Sequence, residues 1–152
     1  MSKIWIASKA KAWEIADVIS FDDNSDEVVV ETKEDGRKTV QKNQTHRADP
    51  SHFEDFDDLC AMNHLHEAPL LHTLRRRFQQ DLIYTTTGDV LISVNPYKSI
   101  VGLYDNKMSF LDLPEDGELQ QSSSKPHVYK IANNALVRLL YGNRAGEPTM
   151  NT

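Results

Sequence analysis

Asn95-Pro96-Tyr97-Lys98, together with Tyr104, are the residues of this chain best suited to ligand chemistry. They place an amide, a proline, an aromatic ring, an ammonium group and a phenol in one loop. A planar ligand needs that kind of set, a flat apolar contact with a few directed polar groups. The loop follows two runs rich in β-branched and aromatic residues, Leu82–Thr87 and Val90–Val94. These flank a Gly88-Asp89 turn and predict a β-hairpin. Pro96 has no backbone donor, so the second strand must stop at Asn95. On the residues alone, Asn-Pro is also a common turn signal, and a strand-ending turn formed by Asn95 is its commoner use.

Other constellations point to less. His64, His66 and His72 do not have the spacing of a zinc set and are expected as scattered surface histidines. Asp22, Asp23 and Asp26 lack the glycine and closing glutamate of a calcium loop, so a solvated turn is expected. Arg75-Arg76-Arg77 would spread around a helix with no aromatic platform interleaved, and reads as surface and interdomain salt bridges. Cys60 has no base beside it and is expected as a buried or half-buried thiol; Trp5 and Trp13 are expected in a core. No catalytic residue and no metal ligand is assigned. The common phosphate-holding loop, G-x-x-x-x-G-K-[ST], does not occur in the 152 residues. Gly142–Glu147 has glycines but no Gly-Lys-Ser/Thr, and Glu147 would repel phosphate.

Short strands are predicted before the hairpin, at Ile4–Ala7, Trp13–Phe21, Val28–Thr32 and Lys38–Gln41, with turns at Asp22–Asp26 and at Glu34-Asp35-Gly36. Such spacing predicts a small barrel or sandwich over residues 1–44. Residues 45–56 are polar, include Asp49-Pro50-Ser51, and read as a linker. Leu59, Met62 and Leu65, then Leu70, Leu71, Leu74 and Phe78 after Pro69, predict two short helices. A short helix is expected at Asn106–Leu111 and an exposed loop at Pro114–Lys125. A last helix starts near Pro126, with Ser124 as its cap and Gly142 as its stop. Its apolar face is Val128, Ile131, Ala132, Ala135, Leu136, Leu139 and Leu140.

Composition sets outer bounds. With 39% hydrophobic and 26% charged residues, and no apolar run long enough to cross a bilayer, direct membrane insertion is not expected. The net charge of −6 excludes a global basic field for nucleic acid. A single cysteine excludes an internal disulfide and suits a reducing cytosol. Met1–Trp5 lacks the long apolar core of a signal peptide.

The hairpin with its Asn-Pro loop resembles the N-terminal part of a myosin motor head. Asp57-Asp58-Leu59 with Leu65-His66-Glu67-Ala68-Pro69, then Arg77-Phe78, and then Pro126-His127-Val128-Tyr129 with Ile131-Ala132 match the family in order and rough spacing. The resemblance implies an α+β chain: a small SH3-like β-barrel (1–44), then an incomplete mixed α/β P-loop motor domain (57–152). It implies that Asn95 and Tyr104 touch adenine, that Pro96 shapes the Asn95–Lys98 loop including Tyr97, and that Lys98 lies near the purine or ribose. Two departures stand out. Ser99 replaces a basic residue common in the family, and the Asn95-to-Tyr104 gap is one residue longer than in muscle-type motors, as in plant-type ones.

The resemblance further implies ATP with Mg2+ as the complete motor's cofactor, actin filaments and light chains as its partners, and a cytoplasmic, cytoskeletal location. The phosphate loop, the switches and the actin-binding surface would follow residue 152. The expectation is therefore a truncated motor piece that does not hydrolyse ATP by itself. The alternative is a non-catalytic interaction module built on the barrel.

Overall fold

The computed structural model describes residues 2–21, 25–105 and 125–141. The chain forms two compact units, Met1–Arg76 and Arg77–Thr152. The expected Asn106–Leu111 helix, the Ser124 cap, the Gly142 stop and most of the Pro114–Lys125 loop lie outside the described residues, as do Asp22 and Asp23.

The first unit is built on five antiparallel strands: β1 (Lys3–Ser8), β2 (Ala12–Phe21), β3 (Glu27–Thr32), β4 (Gly36–Gln41) and β5 (Thr45–Arg47). Their order is β4-β3-β2-β1-β5. The four predicted strands are present with ends shifted by a few residues. Among the described residues, β4 and β5 do not pair with each other, so the sheet keeps two edges and the expected closed barrel is an open sheet. The polar stretch read as linker supplies β5, which pairs with β1 through Ile4↔Arg47, Trp5↔His46 and Ile6↔Thr45. Polarity did not forbid this, because an edge strand needs backbone groups more than apolar side chains.

Alternation along the strands creates the core. Ile4, Ile6, Ala16, Val18, Val28 and Val30 are buried together, with Val40 packed against them. A bulge at Ile19 shifts the register from Val18↔Val30 to Ser20↔Val29. The β3–β4 turn closes as its residue types predict. The Thr32 hydroxyl oxygen accepts from Asp35 N–H at 3.1 Å, and Gly36 takes φ +69°.

Trp5 sits on the opposite face of β1 and is buried as well. Asp49-Pro50-Ser51 is not a plain linker turn but the start of a 3-10 turn, Pro50–Phe53. Asp49 Oδ1 accepts from Ser51 N–H at 3.0 Å, and His52 Nδ1 accepts from Asp49 N–H at 3.2 Å. This turn lays His52 and Phe53 against the Trp5 indole, with Phe53 stacked at 5.9 Å between ring centres. His72, on helix α1 (Glu67–Gln79), closes on Trp5 at 5.4 Å. The first of the two expected helices is only a 3-10 turn, Leu59–Ala61.

Several side chains differ from expectation. His64 is exposed as expected, but His66 and His72 are half-buried among other rings. His66 packs against His46 (4.7 Å) and His52 (5.5 Å), and Trp13 is half-buried against His46 (5.0 Å). Among the described residues no group of His, Cys, Asp and Glu is placed to hold a metal ion. Cys60 is exposed rather than buried, because its turn points the thiol away from Leu59, which takes the interior position. The three arginines diverge around α1. Arg75 donates to Lys11 O, Arg76 donates to Phe53 O and pairs with Asp55 at 2.9 Å, and Arg77 is buried.

The second unit contains the hairpin β6 (Tyr84–Thr87) and β7 (Val90–Ser93), and helix α2 (Val128–Tyr141). The hairpin pairs Tyr84↔Ser93 through Thr87↔Val90 around Gly88 (φ +58°) and Asp89. Val94 N–H adds one more bond, to Ile83 O at 3.0 Å, before Asn95-Pro96 ends the pairing. Helix α2 turns differently from its apolar pattern. Its buried positions are Asn133 and Val137, while Val128, Leu136, Leu139 and Leu140 are exposed. A broad apolar face fixes that a helix has something to bury, not which neighbour is there to cover it. Among the described residues no helix is long and apolar enough to cross a membrane.

Candidate functional site

The Asn95–Tyr104 loop is held open by bonds its own sequence supplies. Asn95 Oδ1 accepts from Tyr97 N–H at 2.9 Å, an Asx turn. That bond assigns the carboxamide oxygen and leaves the Nδ2 hydrogens as the group Asn95 can offer a ligand. Tyr97 adopts φ +51°, a left-handed conformation that costs a non-glycine residue about 1–2 kcal/mol. Its ring gains no burial in return, being 91% exposed. Strain of this sort gathers at ligand-binding loops. Pro96 is half-buried beneath the turn, and Asn95 and Lys98 are exposed.

Lys98 does not stand alone. Its ammonium pairs with Asp81 at 2.6 Å. The pair leaves the loop with little net field for a phosphate and suits it better to an uncharged planar group. Gly102, at φ +79°, then turns the chain back toward the hairpin.

Tyr104 closes the loop. Its hydroxyl lies 3.0 Å from that of Tyr84, the first residue of β6. Tyr84 is 7% exposed and Tyr104 48%, so the pair runs from interior to surface. Burial, then the bond to Tyr104, push the Tyr84 phenol up to about 12. His127, just before α2, donates from Nε2 to Leu103 O at 2.9 Å while its Nδ1 accepts from Tyr129 N–H at 3.1 Å. The imidazole edge meets Tyr84 at 5.0 Å and Tyr104 at 5.8 Å. Beneath them, Arg77 donates to Tyr84 O at 2.9 Å. A cleft of about 290 Å3 opens here, lined by Arg77, Tyr84, Leu103, Lys125, Pro126 and His127 among others.

Of the residues singled out from the sequence, Asn95, Pro96 and Tyr97 form one turn and Lys98 is tied to Asp81. Tyr104 joins a separate ring cluster, and none of the five lines the cleft. Tyr84 and His127 are additions from the structure. The sequence carried each only as part of a strand or a motif, with nothing to show that they meet at Tyr104.

Comparison with known proteins agrees with the motifs. The family model "Myosin head (motor domain)" matches residues 56–146, more than half of the chain. The chain is 34% identical over 139 residues to the Myosin-J heavy chain of Dictyostelium discoideum, covering 91% of this chain and 6% of that protein. It is 35% identical over 147 residues to Myosin-15 of Arabidopsis thaliana, covering 94% of this chain and 9% of that protein. The Myosin-H heavy chain of Dictyostelium discoideum is 33% identical over 141 residues, covering 91% of this chain and 8% of that protein. The chain thus spans less than a tenth of the length of these relatives. The ordered motifs, the family match and these relatives together make the chain a member of the myosin head (motor domain) family.

Proposed function

We propose that this chain supplies the adenine-side loop of an ATP site in an actin-based motor. The observation that carries the reading is the loop itself. Asn95 Oδ1 is engaged by the Tyr97 N–H, which leaves its NH2 as the group it can offer, and Tyr97 is held strained and exposed. In this reading Asn95 donates to a ring nitrogen of the base and Tyr104 contacts its edge. Pro96 stops the strand so that the loop leaves the sheet. Lys98, offset by Asp81, lies beside the purine or ribose and does not grip phosphate.

Mg2+, bound with the nucleotide, offsets the charge of the triphosphate in phosphoryl transfer. Asn95, Pro96, Lys98 and Tyr104 serve base recognition and orientation rather than phosphoryl transfer. The wider reading, taken from the family, is a cytoplasmic, cytoskeletal motor that works on actin filaments and carries light chains. Residues 1–44, completed by β5 and the Pro50–Phe53 turn, form its small N-terminal domain, and 57–152 part of its motor domain.

The test is an NMR titration of the 15N-labelled chain with adenosine at millimolar concentration. Amides within 95–104 are expected to shift, and Asn95→Ala is expected to reduce the response about three- to tenfold in affinity. Shifts confined to other parts of the chain, or an unchanged Asn95→Ala response, would contradict the reading.

A further inference from the structure

We infer that His66 is a proton-sensitive latch at the start of α1. As a neutral imidazole it caps the helix and holds its first turn beside β5; as an imidazolium it releases both. This device belongs to the first unit and stands independently of the adenine-loop reading.

His66 stands one residue before α1 and takes the N-cap position. Its backbone oxygen accepts from Leu70 N–H at 3.2 Å, the first bond of the helix. Its ring Nδ1 accepts from Ala68 N–H at 3.4 Å, as a cap side chain does for the second helical residue. Ala68 is 1% exposed, so water does not take over a lost acceptor for its N–H, and a buried amide needs one. Pro69, the next residue, brings no N–H of its own. One imidazole nitrogen therefore serves the buried donor of the first turn.

An imidazole can act this way only when neutral. The Nδ1 lone pair faces Ala68, so the single ring proton is on Nε2. A second proton has to go to Nδ1, where it meets the Ala68 N–H donor to donor. Its charge would also stand at the positive end of the helix dipole. The surroundings do not offset it. His46 packs on the ring from β5 at 4.7 Å, and His52 from the Pro50–Phe53 turn at 5.5 Å, both of them bases. His52 is already engaged with Trp5, Asp49 and Asn63. Glu67, on α1 itself, is exposed, and among the described residues no carboxylate bonds to the His66 ring. Burial, followed by His46 and His52, accordingly holds His66 below its ordinary value. The cap is intact above about 6.5 and is lost as pH falls toward the lowered folded value. A charged ring then leaves for water, and the first turn of α1 frays. His46, on the three-residue edge strand β5 with Trp13 against it at 5.0 Å, loses its cover.

The experiment follows the 15N-labelled full chain by NMR from pH 7.5 to pH 5. It reads the His66 ring nitrogens and the protection of the Ala68 amide from hydrogen exchange, as a ratio to the unstructured rate at each pH. Wild type is compared with His66→Asn, whose amide oxygen caps a helix at every pH in this range, and with His72→Gln. In wild type the Nε2–H tautomer is expected at pH 7.5. Ala68 protection is expected to fall about three- to tenfold as the His66 ring titrates. His66→Asn is expected to hold that protection within about twofold, and His72→Gln to leave the fall in place. Ala68 protection that falls as far in His66→Asn as in wild type overturns the inference, as does its loss of pH dependence in His72→Gln. So does the Nδ1–H tautomer at pH 7.5. Should His66→Asn not fold, wild type alone decides. A fall at Ala68 that tracks the His66 nitrogens supports the latch, and protection that stays level while they titrate overturns it.

Discussion

The indole Nε1–H of Trp5 donates to Nδ1 of His52 at 3.0 Å, joining two buried side chains separated by 47 positions in the sequence. The same Nδ1 accepts from Asp49 N–H, and Nε2 donates to Asn63 O at 3.0 Å. His52 is thereby fixed as the Nε2–H tautomer, with every polar atom of its ring engaged. One imidazole links the sheet, the 3-10 turn and the segment leading to α1.

Trp5→Phe removes that donor while keeping an aromatic ring on β1. Loss of a buried hydrogen bond, with some packing lost beside it, is expected to cost about 1–3 kcal/mol. Urea unfolding followed by circular dichroism measures this. A variant as stable as wild type would show that the Trp5–His52 bond adds nothing to the first unit.

Acid is expected to weaken the first unit. Burial, followed by the nearby His46 and His52, holds the His66 imidazole below its ordinary value of 6.5. His66 Nε2 is buried with no hydrogen-bond acceptor, so a protonated ring would gain no partner there. Burial, followed by Arg76 and Arg75 and then His52, lowers His72 in the same way. A base with a lowered folded value binds its proton more readily when unfolded. Its stabilisation is full above about 6.5 and is lost as pH falls below that value toward the lowered folded one. The urea midpoint is expected to be lower at pH 5.5 than at pH 7.5, and His66→Phe is expected to reduce the difference. Trp5 contacts the His72 ring, so its fluorescence reports the His72 titration.

Tyr84 is expected to titrate well above the ordinary tyrosine value. Its phenol is pushed up to about 12, first by burial and then by the bond to Tyr104. Tyr104→Phe removes the second cause and is expected to bring the value partway down. A group raised in the folded state contributes stability below its unfolded value of about 10 and loses it as pH rises through the folded value. Tyrosinate absorbance between pH 9 and 13 follows the shift, and a wild-type curve with every tyrosine ionised by pH 11 would contradict it.

Two substitutions test how α2 is turned. Val137 is buried, and Val137→Ala is expected to cost about 1.5–3 kcal/mol. Leu139 is 76% exposed, and Leu139→Gln is expected to change stability by no more than about 0.5 kcal/mol. The apolar pattern alone assigns the larger cost to Leu139. Thermal melts of the two variants decide between them.

The sequence by itself determined what neighbouring residues can settle. Gly88-Asp89 between two β-branched runs made the hairpin, Pro96 ended it, Gly36 turned β3 into β4, and the apolar spacing after Pro126 made α2. The Asn95 carboxamide and the Tyr97 amide are two positions apart, so their Asx turn is also local. Only the tertiary structure decided that Thr45–Arg47 would pair with β1, that Trp5 would find His52, and that Tyr104 would meet Tyr84 and His127. It also decided which side of α2 would be covered. Backbone preference and turn chemistry act over a few residues. The choice of partner for a remote hydroxyl, ring or apolar face depends on which other surfaces the folded chain brings within reach, and no spacing along the sequence encodes that.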